Sequence, residues 1–277
     1  MRFFRFQREK GPIQFMLFSN ATFIGIDPTA GQRPLSYAAL DGDLSLLALG
    51  QGDIDEVLAF VAGQYAALVA VSAPRRPNQG VMDRSEVREN LSPPPRPGRW
   101  TNFRLAEYEL WQHNLRIPRT PGEKEECPAW MQMGFTLFRR LESLKYQPYP
   151  QEDAGRQSLE VYPHACFAAL LDRIPFAKDT LEGRLQRQLI LFENKLDIPD
   201  PMRVFEEITR HRLLQGILPL DDLYPAEELD ALIAAYTAWV AATQPEQVTL
   251  LGDSEEGQIV LPVSKLKNCY CGSHAKA

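Results

Sequence analysis

The chain has no apolar run of about 18 residues, which leaves no candidate for a membrane-spanning helix. It carries only 4 cysteines in 277 residues, too few for a disulfide scaffold and consistent with reduced thiols in the cytoplasm. It has no excess of positive charge: the formal net charge is −6, so no whole-surface basic footprint advertises nucleic acid. No G-x-x-x-x-G-K loop, no Ser or Cys nucleophile motif and no internal repeat occurs, which removes the common nucleotide-loop and triad chemistries. What remains is an ordinary globular composition, 44% hydrophobic and 24% charged, long enough to bury a sizeable core.

The stretch Thr22-Phe23-Ile24-Gly25-Ile26-Asp27-Pro28-Thr29-Ala30-Gly31 is a short apolar β-rich run that ends in one carboxylate. Such a run predicts a central strand with Asp27 emerging at the rim of a sheet. A carboxylate there is costly unless a metal, a substrate or a turn uses it. Gly31 suits a tight return into a second strand, Pro34 to Leu40, and Asp41-Gly42 a hairpin into a third, Leu44 to Leu49. Gly50-Gln51-Gly52 breaks that pattern. Asp53 caps a helix marked by Ile54, Val57, Leu58 and Val61, and Ala66 to Val71 reads as a buried parallel strand. Hairpins followed by a strand–helix–strand crossover predict an α/β mixed sheet with helices packed on it.

Residues 1–20 read as a separate basic-aromatic extension, with Met1 or Met16 as the start, 21–263 as one domain and 264–277 as a tail. Ser72 to Gly98 is proline-rich and loop-like. Between positions 75 and 104 seven arginines (Arg75, Arg76, Arg84, Arg88, Arg96, Arg99, Arg104) face only Asp83, Glu86 and Glu89. With Trp100 and Phe103 alongside, this local basic loop is a candidate phosphate and nucleic-acid contact, or a solvated loop whose arginines pair with surface acids.

Helical periodicity marks Phe103–Leu115, Trp130–Leu144, Ala165–Leu171, Leu181–Leu196, Met202–Leu214 and Ala226–Ala242. Between them Ser158 to Tyr162 reads as a strand stopped by Pro163, and Val248–Leu251 with Gln258–Val263 as a terminal hairpin. Glu160 sits at the end of its strand. Glu227 and Asp230 share one helix face three residues apart, Asp230 running into the apolar Ala231-Leu232-Ile233-Ala234-Ala235. Strand-end acids joined by a helix acid form the oxygen-ligand set that Mg²⁺ or Mn²⁺ takes. Such ions can activate water for phosphodiester hydrolysis. Glu227 also suits the first turn of any helix. Cys269, Cys271 and His274 fall short of a zinc pattern.

Ile24-Gly25-Ile26-Asp27, Glu160-Val161-Tyr162-Pro163-His164 and Leu229-Asp230-Ala231-Leu232, in this order, resemble domain-of-unknown-function family 429, regarded as predicted nucleases of the ribonuclease H-like fold. Arg104 to Glu107, Pro118–Pro121, and Lys178 with Gly183-Arg184 and Arg187 extend the resemblance from about residue 22 to about 262. It implies a mixed five-stranded sheet, an acidic metal site and nuclease chemistry. On that reading Asp27, Glu160 and Asp230 hold Mg²⁺ or Mn²⁺, and Glu227 assists them. Lys178, Arg75, Arg76, Arg104 and Arg184 would meet phosphate.

One position departs from the family pattern. Where apolar-Asp-x-Pro is usual, this chain has Val71-Ser72-Ala73-Pro74, one acid fewer. The alternative is therefore a catalytically degenerate module that binds nucleic acid or protein. A third class, an actin-like or sugar-kinase-like phosphotransferase, also opens on a strand ending Gly-x-Asp, but this chain has no Gly-Gly pair for further phosphate loops.

Overall fold

The computed structural model describes residues 21–29, 33–92, 94–95, 98, 100–152 and 154–271. The expected extension over 1–20, the return at Gly31, Arg96 and Arg99 of the basic loop, and His274 lie outside these residues. Strand β1 (Thr22–Asp27) pairs antiparallel with β2 (Leu35–Leu40), and β2 antiparallel with β3 (Leu46–Gly52). On its other side β1 runs parallel to β4 (Ala67–Val71), and β4 parallel to β6 (Arg156–Glu160). A two-residue β5 (Gln147–Pro148) touches the start of β6. The terminal hairpin, β7 (Thr249–Asp253) and β8 (Gly257–Leu261), docks through β8 at the end of β6.

The architecture is thus a mixed α/β sheet, but with eight strands among the described residues rather than five, in the order β3-β2-β1-β4-β6-β8-β7 with β5 off this path. The additions cover the edge that β6 would otherwise leave unpaired.

The helices among the described residues are α1 (Ile54–Ala62), α2 (Ser85–Glu89), α3 (Leu105–Gln112), α4 (Ala129–Ser143), α5 (Pro163–Leu171), α6 (Leu181–Glu193), α7 (Arg203–Glu207), α8 (Arg210–Leu214) and α9 (Ala226–Thr243), and both faces of the sheet are covered by helices of this set. Alternation along the strands divides the core in two. Phe23, Leu68, Ala70 and Leu159 face α5 and α9, whereas Ile24, Ile26, Val69 and Val71 face α1 and α4.

Several boundaries differ from the sequence pattern, each for a local reason. The third strand runs on through Gly50 to Gly52, because Tyr37, Ser36 and Leu35 pair with those residues across the ladder. It begins at Leu46 because Leu44 takes a left-handed turn conformation, φ 63°. Pro163 does more than stop β6: it opens α5 at a position where a missing N–H costs nothing. The helix expected over Met202–Leu214 is two short helices. Ile208 is extended between them, and Thr209 caps the second through its hydroxyl. Both feet of that segment are held by Gln188, whose Nε2 donates to Pro199 O (2.9 Å) and Asp222 O (2.7 Å).

Helix α9 is buried almost all round and lies directly on β1. Gly25 makes this possible. A Cβ built on it would stand 2.0 Å from the Ala231 carbonyl oxygen and 2.4 Å from the Ala235 nitrogen. Both are backbone atoms, so neither can rotate away. Gly25→Ala is therefore expected to destabilise the protein by about 3 kcal/mol or more, because the helix must lift off the strand. Chemical denaturation measures this, and an unchanged midpoint would refute the close-contact argument.

Candidate active site

Strands β1, β4 and β6 run parallel and so present their C-terminal ends at one edge of the sheet. Ligand sites of open α/β sheets form at such edges. Asp27 ends β1, Ser72 follows β4 with its N–H bonded to Ile26 O (2.9 Å), and Tyr162-Pro163-His164 follow β6. The α9–Gly25 contact brings the first turns of α9 to the same edge, so Asp230 meets Asp27 across 203 residues of sequence. Together with Lys178, Arg116, Arg187 and Trp130 they line a cavity of about 460 Å³.

The charges here are incompletely balanced. Lys178 Nζ donates to Asp230 Oδ2 at 2.8 Å. Burial pulls the Lys178 ammonium down, but Asp230 outweighs it and raises its pKa. Asp27 is pushed well above the ordinary 3.8 by burial and then by Asp230, with Lys178 only partly offsetting them. Asp230 is likewise raised by burial against the pull of Lys178, and Glu227 raises both aspartates further. Burial, with Arg187 and Lys178, lowers His164 to about 4, so its imidazole is neutral at pH 7. Burial and Asp230 push the Tyr162 phenol up to about 12.

Polar groups without partners gather at the same place. Among the described residues, the buried side-chain atoms lacking a hydrogen-bond partner are Ser36 Oγ, Ser72 Oγ and Arg187 Nε. Ser72 and Arg187 line the cavity, and Ser36 stands directly opposite Asp27 in the β1–β2 register. The Ser72 hydroxyl lies near enough to Asp27 to lower its pKa slightly without forming a full hydrogen bond. Orphaned buried groups are rare and call for an explanation.

Glu160 does not join this group. Its Oε2 accepts from Arg75 N (3.0 Å) and Arg104 Nη1 (3.0 Å), and its Oε1 from Arg104 Nη2. Arg104 in turn holds Glu107 through Nε at 3.0 Å, and Glu107 also accepts from Thr120 N (3.1 Å). Burial opposes the Arg104 charge, but Glu160 and Glu107 overcome it and raise its pKa. Of the expected trio, Asp27 and Asp230 line the cavity, and Glu160 is bonded to Arg75 and Arg104 outside that lining. Among the described residues no group of three or more His, Cys, Asp or Glu is placed to hold a metal ion.

The basic loop also differs from expectation. Arg75 is buried, donating to Glu142 Oε1 (3.1 Å) and to Ser158 O (2.9 Å), and Arg104 is 1% exposed. Neither can reach a phosphate in solution. Arg184 is bound to the Tyr224 carbonyl (2.8 Å) and to that of Leu223. Arg76 alone of the four is half-buried with no ion pair or side-chain hydrogen bond among the described residues. Sequence reasoning overlooked Arg116 and His164 as lining residues, though the Pro-His step after β6 marks His164. It also overlooked Glu256, which accepts from Gln79 N and Val81 N at 3.0 Å and ties the proline-rich loop to the terminal hairpin.

Two outcomes follow from these charges. Glu160→Ala leaves the Arg104 guanidinium short of a buried partner and is expected to cost about 3–5 kcal/mol in urea unfolding; a near-neutral result would free Glu160 for another role. Asp27 is raised in the folded state, so the native protein binds its proton more tightly than the unfolded chain does. Stability therefore falls as pH climbs from about 3.8 through the raised value. Asp27→Asn removes that penalty, with an expected gain on the order of 1 kcal/mol at pH 8 that vanishes below pH 3.8. Thermal melts across this range would contradict the assignment if the mutant were less stable at pH 8.

No helix among the described residues is long and apolar enough to cross a membrane. No curated protein matches the chain. The family described as Protein of unknown function (DUF429) matches residues 25–256, a span that takes in Gly25, Asp27, Ser72, Lys178 and Asp230, and the chain belongs to that family.

Proposed function

We propose that the Asp27–Asp230 pocket hydrolyses phosphodiester bonds with one Mg²⁺ or Mn²⁺ as cofactor. The observation that carries this reading is the convergence of two under-compensated carboxylates with two partnerless buried polar atoms, Ser72 Oγ and Arg187 Nε, around one cavity. The donor set fits the ion: Asp27, Asp230 and the Ser72 hydroxyl are all oxygen ligands, and Mg²⁺ is commonly held by one or two carboxylates plus substrate phosphate. With Glu160 committed to Arg104, the set suits one ion rather than two. When bound, the ion would activate water and offset charge on the phosphate oxygens.

The protein's own groups have distinct tasks. Asp27 and Asp230, both raised by burial, would be held in their ionised form by the cation they ligate. Lys178, Arg187 and Arg116 line the cavity with positive charge that a phosphate can meet. His164 adds none, being neutral at pH 7. Glu227 keeps the aspartates electrostatically primed. The mixed core β3-β2-β1-β4-β6, with Asp27 ending the central strand, supports a ribonuclease H-like ancestry to which β5, β7 and β8 are additions.

One observation favours a second reading. Lys178 Nζ sits 2.8 Å from Asp230, where its ammonium can serve in place of a metal cation. A module of that kind would bind nucleic acid or protein without cleaving it.

Labelled single- and double-stranded DNA and RNA, incubated with the protein and Mn²⁺ or Mg²⁺, separate the two. Cleavage is expected, and Asp27→Asn and Asp230→Asn should each reduce it by at least about 100-fold. Absence of cleavage from the parent, with no Mn²⁺ binding by calorimetry, would retire the enzyme reading in favour of the binding module.

A further inference from the structure

Helix α4 links the Asp27 cavity to a second concavity of about 440 Å³. Trp130 near its start lines the first, and Phe135, Phe138, Arg139 and Glu142 line the second together with Arg76 and Lys124. Nine helical positions separate Trp130 from Arg139, a rise of roughly 13 Å. Along the loop, four residues separate Ser72 from Arg76, at most roughly 14 Å of extended chain. The two concavities are neighbours by either measure.

The second one is lined by cations that no ion pair holds among the described residues. Glu142 lines it and Glu255 acts on Arg76, and both are committed elsewhere. Glu142 pairs with the buried Arg75 at 3.1 Å. Glu255, which feels the charge of Arg76, is gripped by Arg84 through two bonds of 2.6 and 2.8 Å. The exposed Glu123, Glu125 and Glu126 flank Lys124 in the chain and moderate its charge, but none of them lines the concavity. Among the described residues Arg76, Lys124 and Arg139 therefore have neither an ion pair nor a side-chain hydrogen bond. Three converging cations repel one another, in a chain whose net charge is −6. Phe135 and Phe138, at 5% and 1% exposure, form an apolar wall that strengthens any charge interaction made against it.

We propose that Arg76, Lys124 and Arg139 bind backbone phosphates of a nucleic-acid strand whose neighbouring segment enters the Asp27–Asp230 pocket; this rests on the phosphodiester reading of that pocket. The basic contact then combines one residue of the arginine-rich loop, Arg76, with Lys124 and Arg139 from two other elements. Lys124 and Arg139 are exposed and Arg76 is half-buried, so their replacement leaves the core intact.

The test is fluorescence anisotropy of a labelled single-stranded oligonucleotide, in EDTA so that neither metal nor cleavage contributes. The triple variant R76Q/K124Q/R139Q should bind at least about tenfold more weakly than the parent at about 50 mM salt. Its log K versus log salt slope should be shallower by about 2, the share of three phosphates on a single strand. A control lacking three other exposed cations, R203Q/R210Q/K265Q, should keep the parent's slope. Equal binding by parent and triple variant, equal losses in both variants, or no binding by the parent would each overturn the proposal. Inorganic pyrophosphate is the second probe: if only its binding is lost in the triple variant, the site takes free phosphate and the strand assignment falls. A parent that binds through these cations yet cleaves nothing would remove the hydrolytic reading and leave this site standing.

Discussion

The backbone-to-backbone contact between Gly25 and α9 is the constraint from which the rest of the molecule follows. A helix normally rides on a sheet at side-chain distance. Here the absence of one Cβ lets Ala231 and Ala235 rest against the central strand itself. That closeness selects small residues on the helix (Ala231, Ala234, Ala235, Ala238) and makes α9 part of the core on nearly every side. It also fixes the depth at which Asp230 sits, one residue before the contact. Two carboxylates far apart in the chain are forced to share a cavity because the helix has nowhere else to go.

The protein treats its buried acids in two opposite ways. Glu160 and Glu107 are saturated: an arginine, backbone amides and a threonine hydroxyl satisfy their oxygens. Such a network holds the ends of β4 and β6, α3 and the proline-rich loop in one register. Asp27 and Asp230 share Lys178 as their main counter-charge, and both stay above their ordinary pKa. An arrangement that leaves carboxylates under-compensated beside partnerless hydroxyls costs stability, and natural proteins carry such costs mainly where something binds.

This contrast also sets how much could be read from the sequence. Asp27 was legible because an apolar run ending in one acid is a local pattern. Asp230 was legible because a carboxylate entering Ala-Leu-Ile-Ala-Ala is conspicuous in any helix. The period-2 and period-3.6 patterns placed most strands and helices to within a few residues. Glu160 looked identical to Asp27 in sequence, a strand-end acid among apolar neighbours. Its difference lies in Arg104, 56 positions away, and no local signal announces that pairing. Gly25 was equally silent, since a glycine in a strand can mark a bulge, a bend or a close approach.

The arginines show the same principle from the other side. Counting charge along the loop treats each arginine as solvated, yet Arg75 and Arg104 lie inside because Glu142, Ser158, Glu107 and Glu160 pay for their desolvation. Their burial removes them from any surface field and, through the same bonds, occupies the acids that would otherwise neutralise their neighbours. With Glu142 taken by Arg75 and Glu255 by Arg84, Arg76 and Arg139 are left without an ion pair among the described residues. A positive patch on an acidic protein thus arises from how internal pairs are assigned. Which arginines are free is decided by packing, not by where they cluster in the chain.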